Sequence, residues 1–368
     1  MNAYSTKTSP EEAVKDIRSQ LDKPDYKALL FFASSSFAPD KLSLEMQKAF
    51  PGIPVFGCTS AGEIINEKML KNSVVAMGFG DNLLEDIKVG VIENVHKKDA
   101  VEQAFSYFEK YYKQSMLEMD PSQYIGIILI DGLSVAEEKI MDRIGDLTNV
   151  TFIGGSAGDD LKFKSTYVSA HGKSYTKAAV LALMKPGTGF DIIKTQSFCQ
   201  IDKQLAATKV NEAKREVLEF NNKAASDAYA QAIEKPVENI NEYFMHNPLG
   251  LMVGDEPYVR SPQQIIGNTM VFYCNVKQGM KLSILQSEDI VSDTQKVLEK
   301  KKKEIGNFSA LINFNCILRT LELENKGQTE AYGKLFAGIP TIGFSTYGEQ
   351  YIGHINQTAT MLVFKDKS

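Results

Sequence analysis

Two stretches decide the architecture: FPGIPVFGCTSAGEI, residues Phe50–Ile64, and FAGIPTIGFSTYGEQ, residues Phe336–Gln350. They align without gaps. Seven of the fifteen positions are identical, where composition alone would give roughly one. Thr59/Ser345 and Ser60/Thr346 are conservative exchanges. A weaker third copy lies between them: Phe152, Ser156, Ala157 and Gly158 match Phe56, Ser60, Ala61 and Gly62, with Asp159 in place of Glu63. The spacing of about 97 residues between the copy at Phe50–Ile64 and this middle one is too long for a solenoid repeat.

The flanks of each copy repeat as well. The run Ala28–Ala33 reads as a strand, Lys41–Phe50 as an amphipathic helix, and Ile53–Gly57 and Val74–Phe79 as strands. The same order returns as Tyr124–Asp131, a helix through Ile140, Met141, Ile144 and Leu147, then Val150–Ile153 and Ala179–Met184. It returns again as Ala310–Phe314, a helix through Tyr332, Leu335 and Phe336, then Ile339–Phe344 and Thr360–Phe364. Helical patterns at Glu11–Leu21, Val101–Tyr112 and Asp293–Ile305 precede the three copies. The expected fold is therefore α/β (α+β), with mixed sheets carrying helices, built from three strand–helix–strand–strand blocks. The strand–helix–strand part should be parallel and right-handed. Between the second and third blocks the composition shifts. A polar helix is expected at Val210–Phe220 and another at Ala224–Ile233. The loop-rich Asn247–Ile265 follows, then strands Thr269–Asn275 and Met280–Gln286. Domains are expected at 1–205 and 206–368.

Composition narrows the classes. The chain has 368 residues, is 43% hydrophobic and carries a net charge of −5, so it lacks the basic footprint of a general nucleic-acid binder. Met1–Pro10 has no apolar segment of the secretory type, and no apolar run reaches bilayer length. Four widely spaced cysteines, 58, 199, 274 and 316, fit reduced thiols in a cytoplasmic protein.

The ordered motifs resemble those of the FIST proteins, which join an N-terminal and a C-terminal FIST domain. The N-terminal signature is similar to GCTSAGEI (Gly57–Ile64) followed by GGSAGDD (Gly154–Asp160). The C-terminal one is similar to VLEFNNKAASDAYAQAI (Val217–Ile233), NPLGL, YVRS, NFNCILR (Asn313–Arg319), GFSTYGEQ and HINQT (His354–Thr358). NNKAA stands where the family has a Gly-Pro-Ala-like turn. The resemblance implies a sensory module for small ligands, amino acids among them, with one subgroup binding haem and sensing nitric oxide. It also implies output through a separate protein such as a kinase, cyclase or chemoreceptor, because no output domain is expected within this chain.

The candidate ligand site consists of Arg260, Asn315, Cys316, Arg319, Gly348 and Glu349. Either guanidinium can hold a carboxylate in bidentate fashion, and Glu349 can accept from an ammonium group. Each arginine reads equally as a structural clamp, and Cys316 and Cys58 as inert buried thiols. A secondary set follows from the other turns: Thr59, Ser60, Glu63, Ser156 and Asp159. Gly154–Gly158 satisfies G-x-S-x-G, but the following DDLKFKSTYV favours a strand over the helix that a nucleophile elbow requires, so hydrolysis is disfavoured. The histidines lack metal-ligand spacing. His354 and His246 are the candidates for a haem axial ligand.

Overall fold

The computed structural model describes residues 1–22 and 25–366. The chain divides into two compact units. One comprises 1–194, 295–354 and 359–368, and the other 195–294 and 355–358.

Three six-stranded sheets build the first unit, and they share one strand order. The first sheet runs Asn2–Ser5, Val74–Gly80, Tyr26–Ser34, Val55–Ser60, Val168–Ala170, Lys173–Tyr175. The second runs Leu84–Ile92, Ala179–Pro186, Ile125–Ile130, Phe152–Ser156, Glu349–Tyr351, His354–Ile355. The third runs Phe190–Gln196, Thr358–Lys365, Phe308–Cys316, Thr341–Thr346, Glu63–Ile65, Lys68–Leu70. In each, the two central strands are parallel and the next strand out is antiparallel. The parallel partner is joined through a helical crossover, as a parallel pair requires.

The last two strands of every sheet come from elsewhere in the chain. The hairpin after Ser60 joins the third sheet, the hairpin at Val168–Tyr175 joins the first, and the hairpin after Thr346 joins the second. Each strand that ends in the repeated Gly-Glu or Gly-Asp turn thus leaves its own sheet and crosses to the next one in a closed cycle.

Central strands are buried on both faces, which explains their unbroken apolar runs. In Tyr26–Ser34, Ala28, Leu30 and Phe32 enter a core common to all three sheets, while Leu29, Phe31 and Ala33 face the helices Pro10–Gln20 and Pro39–Ala49. In Ile125–Ile130, the alternate residues Ile128 and Ile130 face Ala100–Tyr112 and Glu137–Leu147 instead. Phe32 and Phe344 meet at 4.4 Å between ring centroids, and Phe314 meets Phe344 edge-on at 6.0 Å. Gly57 and Gly343 are small for the same reason in two sheets. A Cβ there would lie 2.0 Å from the Phe31 carbonyl oxygen and 2.2 Å from that of Asn313.

The second unit holds an eight-stranded antiparallel sheet with the helix Ala225–Ile233 packed on it through Tyr229, Phe220 and Phe272. The helix expected at Val210–Phe220 is instead a hairpin: Phe198–Asn211 pairs with Glu216–Phe220 across a short 3-10 turn at Glu212–Lys214. Val210 and Val217 are seven residues apart, which suits one face of a helix, but they are cross-strand partners. The β-branched Thr208 and Val210 favour the strand. The stretch Asn247–Ile265, expected to be loop-rich, instead carries three strands, Leu249–Val253, Glu256–Arg260 and Pro262–Ile266. The helix expected through Tyr332, Leu335 and Phe336 is Thr329–Lys334, and the one expected at Asp293–Ile305 begins at Ile290.

Candidate functional site

The crossing turns meet one another at the carboxyl ends of the parallel strands. Gly158 N–H donates to the Thr59 carbonyl at 3.0 Å, and Ala61 N–H to that of Ser345 at 3.1 Å. Ser156 N–H donates to the Gly348 carbonyl at 2.8 Å, and Tyr347 N–H to that of Ser156 at 3.1 Å. A ring of backbone bonds therefore links first to second, first to third and second to third copies of the turn. Thr59, Ser60, Glu63, Ser156, Asp159 and Glu349 are all brought to this ring and are buried.

Each turn has its own chemistry. Glu63 accepts from the Ser60 hydroxyl and from the Ser73 N–H and hydroxyl, at 3.1 and 2.5 Å. Burial pushes its carboxyl up to about 7, against the pull of the Ser60 and Ser73 hydrogen bonds, and nearby Asp160 adds to the rise. Asp159 accepts from the amides of Phe163, Lys164 and Ser165 at 2.9, 2.6 and 3.1 Å, and from the Tyr347 hydroxyl at 2.5 Å. Burial alone would raise it, but these donors outweigh burial and hold it below the usual carboxylate range. In the third turn Gly348 lies against the His354 ring, where a Cβ would come within 2.1 Å of Cε1. Glu349 begins the strand that joins the second sheet.

Next to the third turn, the strand Phe308–Cys316 runs directly into the helix Ile317–Asn325 and carries a polar network. Arg319 Nε donates to Asn315 Oδ1 at 3.1 Å, and the Tyr332 hydroxyl donates to the same oxygen at 3.1 Å. Asn315 Nδ2 donates to Thr320 Oγ1 at 3.0 Å, which lies 2.7 Å from Ser345 Oγ. Arg319 is only 2% exposed, and its guanidinium carbon is 6.0 Å from the Tyr332 ring centre. Arg319, in the first turn of the helix, reaches back to Asn315 at the end of the strand that leads into it.

Five of the six ligand-site candidates thus lie in the first unit. Arg260 belongs to the second, in the strand Glu256–Arg260, with its guanidinium donating to the carbonyls of Tyr258 and Val259 at 3.4 and 3.1 Å. Cys316, Cys58 and Cys274 are buried, Cys199 is exposed, and none of the four is in a disulfide. Burial raises the Cys58 thiol far above its ordinary value, which makes it a poor nucleophile.

The Ser156 hydroxyl is fully buried, donates to Glu137 at 3.2 Å and accepts from Gln350 Nε2 at 3.1 Å. After Ser156 the chain enters a loop that ends only at the strand Val168–Ala170, so the helix of a nucleophile elbow does not follow. The strand expected over DDLKFKSTYV does not form there either: Asp159 gathers the amides of Phe163, Lys164 and Ser165 into a turn, and the strand begins only at Val168. Neither haem candidate suits an axial ligand. His354 is wedged on Gly348 with Nδ1 3.2 Å from Gln350 Nε2, and His246 is exposed, with Nδ1 3.4 Å from Ser287 Oγ. No group of three or more metal-ligating side chains occurs among the described residues. No helix of the described residues is long and apolar enough to cross a membrane.

Sequence reasoning missed Glu137, Gln350, Tyr332 and Tyr347 as members of these networks. Only Tyr347 carried a signal, since it replaces the alanine of the other two copies.

An α+β chain of two compact units is the class this geometry defines. The FIST N domain profile matches residues 27–223 and the FIST C domain profile residues 225–352. The chain belongs to the FIST family, whose domains are associated with ligand sensing and signalling and are generally non-catalytic. An uncharacterized protein of Methanocaldococcus jannaschii is 24% identical over 311 residues, covering 78% of this chain. The match covers 59% of that relative's length.

Proposed function

We propose that this protein is a non-catalytic small-ligand sensor of the cytoplasm, binding an amino acid or small carboxylate. It passes the signal to a separate partner such as a kinase, cyclase or chemoreceptor. The observation that carries this reading is the buried guanidinium of Arg319, placed with Asn315 and Tyr332 at the carboxyl end of a parallel pair. Ligands of α/β sheets bind at such strand ends. In this reading Arg319 holds the ligand carboxylate and Glu349 accepts from its ammonium group. Asn315 orients the arginine, and Gly348 leaves room for the backbone to approach.

Because these groups are buried, binding favours the conformers that open the third turn. The ring of turns then spreads that preference to the other two sheets. The three blocks of one order are, in the same reading, products of internal duplication that diverged at their turns.

A thermal-shift screen with the standard amino acids and small carboxylates tests the site. A ligand at one hundred times its Kd stabilises by about 2.7 kcal/mol, a readily measured shift. Arg319→Ala and Glu349→Gln should each abolish that shift. Arg319→Lys, which keeps the charge and loses the fork, should weaken it. A silent screen on folded protein, or a shift unchanged in all three variants, would overturn the proposal.

A further inference from the structure

The strand Leu84–Ile92 lies at the end of the second sheet and pairs on one side only, with Ala179–Pro186. Strand parity tells which backbone groups face outward. His171 Nε2 lies 3.4 Å from the Val89 carbonyl oxygen, so Val89 faces away from the sheet. Backbone groups repeat every second residue on one edge, so those of Val91 face the same way.

A cleft of about 540 Å³ opens beside this edge. Its floor is the strand segment Val89–Asn94, and its wall is one helical stripe, Ala100, Gln103, Ala104 and Tyr107, at spacings of three, four and seven. The small side chains of Ala100 and Ala104 leave depth, while Gly90 lets the rings of Phe108 and Tyr107 pack close on the strand. His171, in a left-handed conformation at φ 53°, closes the far end. The volume lies within the range of small-molecule sites. Lys97 and Glu93 oppose each other in charge, and Lys97 is also 3.6 Å from Asp99, so the cleft has no excess of either sign. Tyr107 is 45% exposed, with Lys88 Nζ 4.7 Å from its ring centre.

We infer that this cleft is a second ligand site, for an uncharged planar heteroaromatic of the nucleobase class. The outward N–H and C=O of Val91 form a donor–acceptor pair that matches the edge of such a ring, and Tyr107 offers it a face to stack on. Asn94 Oδ1 takes the His96 N–H and Gln103 Nε2 donates to Asp99, which leaves Asn94 Nδ2 and Gln103 Oε1 to supply a second polar edge. The site is separate from the Arg319 network and does not depend on it.

Adenosine, guanosine, cytidine and uridine are the probes, each titrated by calorimetry and by tyrosine fluorescence, which is readable because the chain has no tryptophan. At least one should bind saturably and quench the emission. Ala104→Phe, which fills the cleft, should weaken binding at least tenfold. Gln103→Ala, at an exposed position, should weaken it less and serves if the larger side chain impairs folding. Tyr107→Leu should remove the quench. Arg319→Ala should leave the affinity unchanged. No nucleoside binding to folded protein would overturn the inference; a groove that takes only an extended peptide along its open edge would give that result. Binding indifferent to Ala104→Phe and Gln103→Ala, or binding lost with Arg319, would overturn it as well.

Discussion

Glu63 and Asp159 hold matching positions in two copies of the turn sequence, one at the start of a strand and the other in a loop, yet their carboxyls are driven in opposite directions. Glu63 is fully enclosed and receives three hydrogen bonds, two of them from hydroxyls. Burial dominates, and the proton is held to about pH 7. Asp159 sits one methylene closer to the backbone and gathers three amides of its own loop as well as the Tyr347 hydroxyl. The donors dominate, and the carboxylate stays charged. One side-chain carbon and the loop that follows decide whether the turn carries a proton or an anion. The lesson is that a shared topology fixes where a carboxyl sits, while its local donors fix its charge.

Asp159→Ala should give the largest effect on this comparison. It strands three loop amides and a tyrosine hydroxyl, at about 1 kcal/mol or more for each group, so chemical denaturation should show a loss of about 4 kcal/mol. Asp159→Asn keeps one acceptor and should lose roughly half of that. A loss under 1 kcal/mol for the alanine variant would mean that the loop's left-handed residues Asp160, Leu161 and Phe163 hold their shape without it.

Glu63 should give the next largest effect, seen as a pH slope. Its folded pKa lies above its unfolded one, so the folded state binds more protons between about pH 4.5 and pH 7. The stabilisation is fully present below the lower value and is lost as the pH rises through the upper one. The loss is roughly 3 kcal/mol across the window. Unfolding in urea at a series of pH values should show this fall in the native protein and a flatter profile in Glu63→Gln. A native profile that rises over the same window would reverse the assignment.

Much of this fold was legible because the central strands are buried on both faces. Runs such as Leu29–Phe32 and Ile125–Ile130 announce such strands directly, and the repeated turn sequence marks where each one ends. What could not be read was the destination of the chain after each turn. Glu63–Ile65, three residues long, pairs with a strand nearly 280 positions away, and nothing in its composition points there. The hairpin at Val210–Val217 was hidden because a seven-residue spacing satisfies both a helix face and a cross-strand pair. At the candidate site, Arg319 and Asn315 could be chosen from charge and spacing. Glu137 and Gln350 could not, since their partner Ser156 reaches them only after the sheets assemble.

Tyr347→Phe makes the smallest change and probes the link between two turns. The hydroxyl belongs to the third turn, donates to Asp159 in the second and accepts from the Leu161 amide at 2.8 Å. Burial and the Asp159 carboxylate both raise the phenol far above its ordinary value, so it stays a donor at every working pH. The ring stacks on Phe163 at 5.0 Å, a contact that phenylalanine retains. Removing the oxygen alone should therefore cost about 1.5 kcal/mol. It should also move the Asp159 carboxyl back toward its ordinary value. Asp159 stabilises above its unfolded pKa and loses that contribution as the pH falls through the folded one, so the variant should begin to lose stability at a higher pH on acidification than the native protein. If the acid limb of the stability profile does not move, the amides of Phe163, Lys164 and Ser165 hold the carboxylate without help from the third turn, and the two turns are coupled through the backbone ring alone.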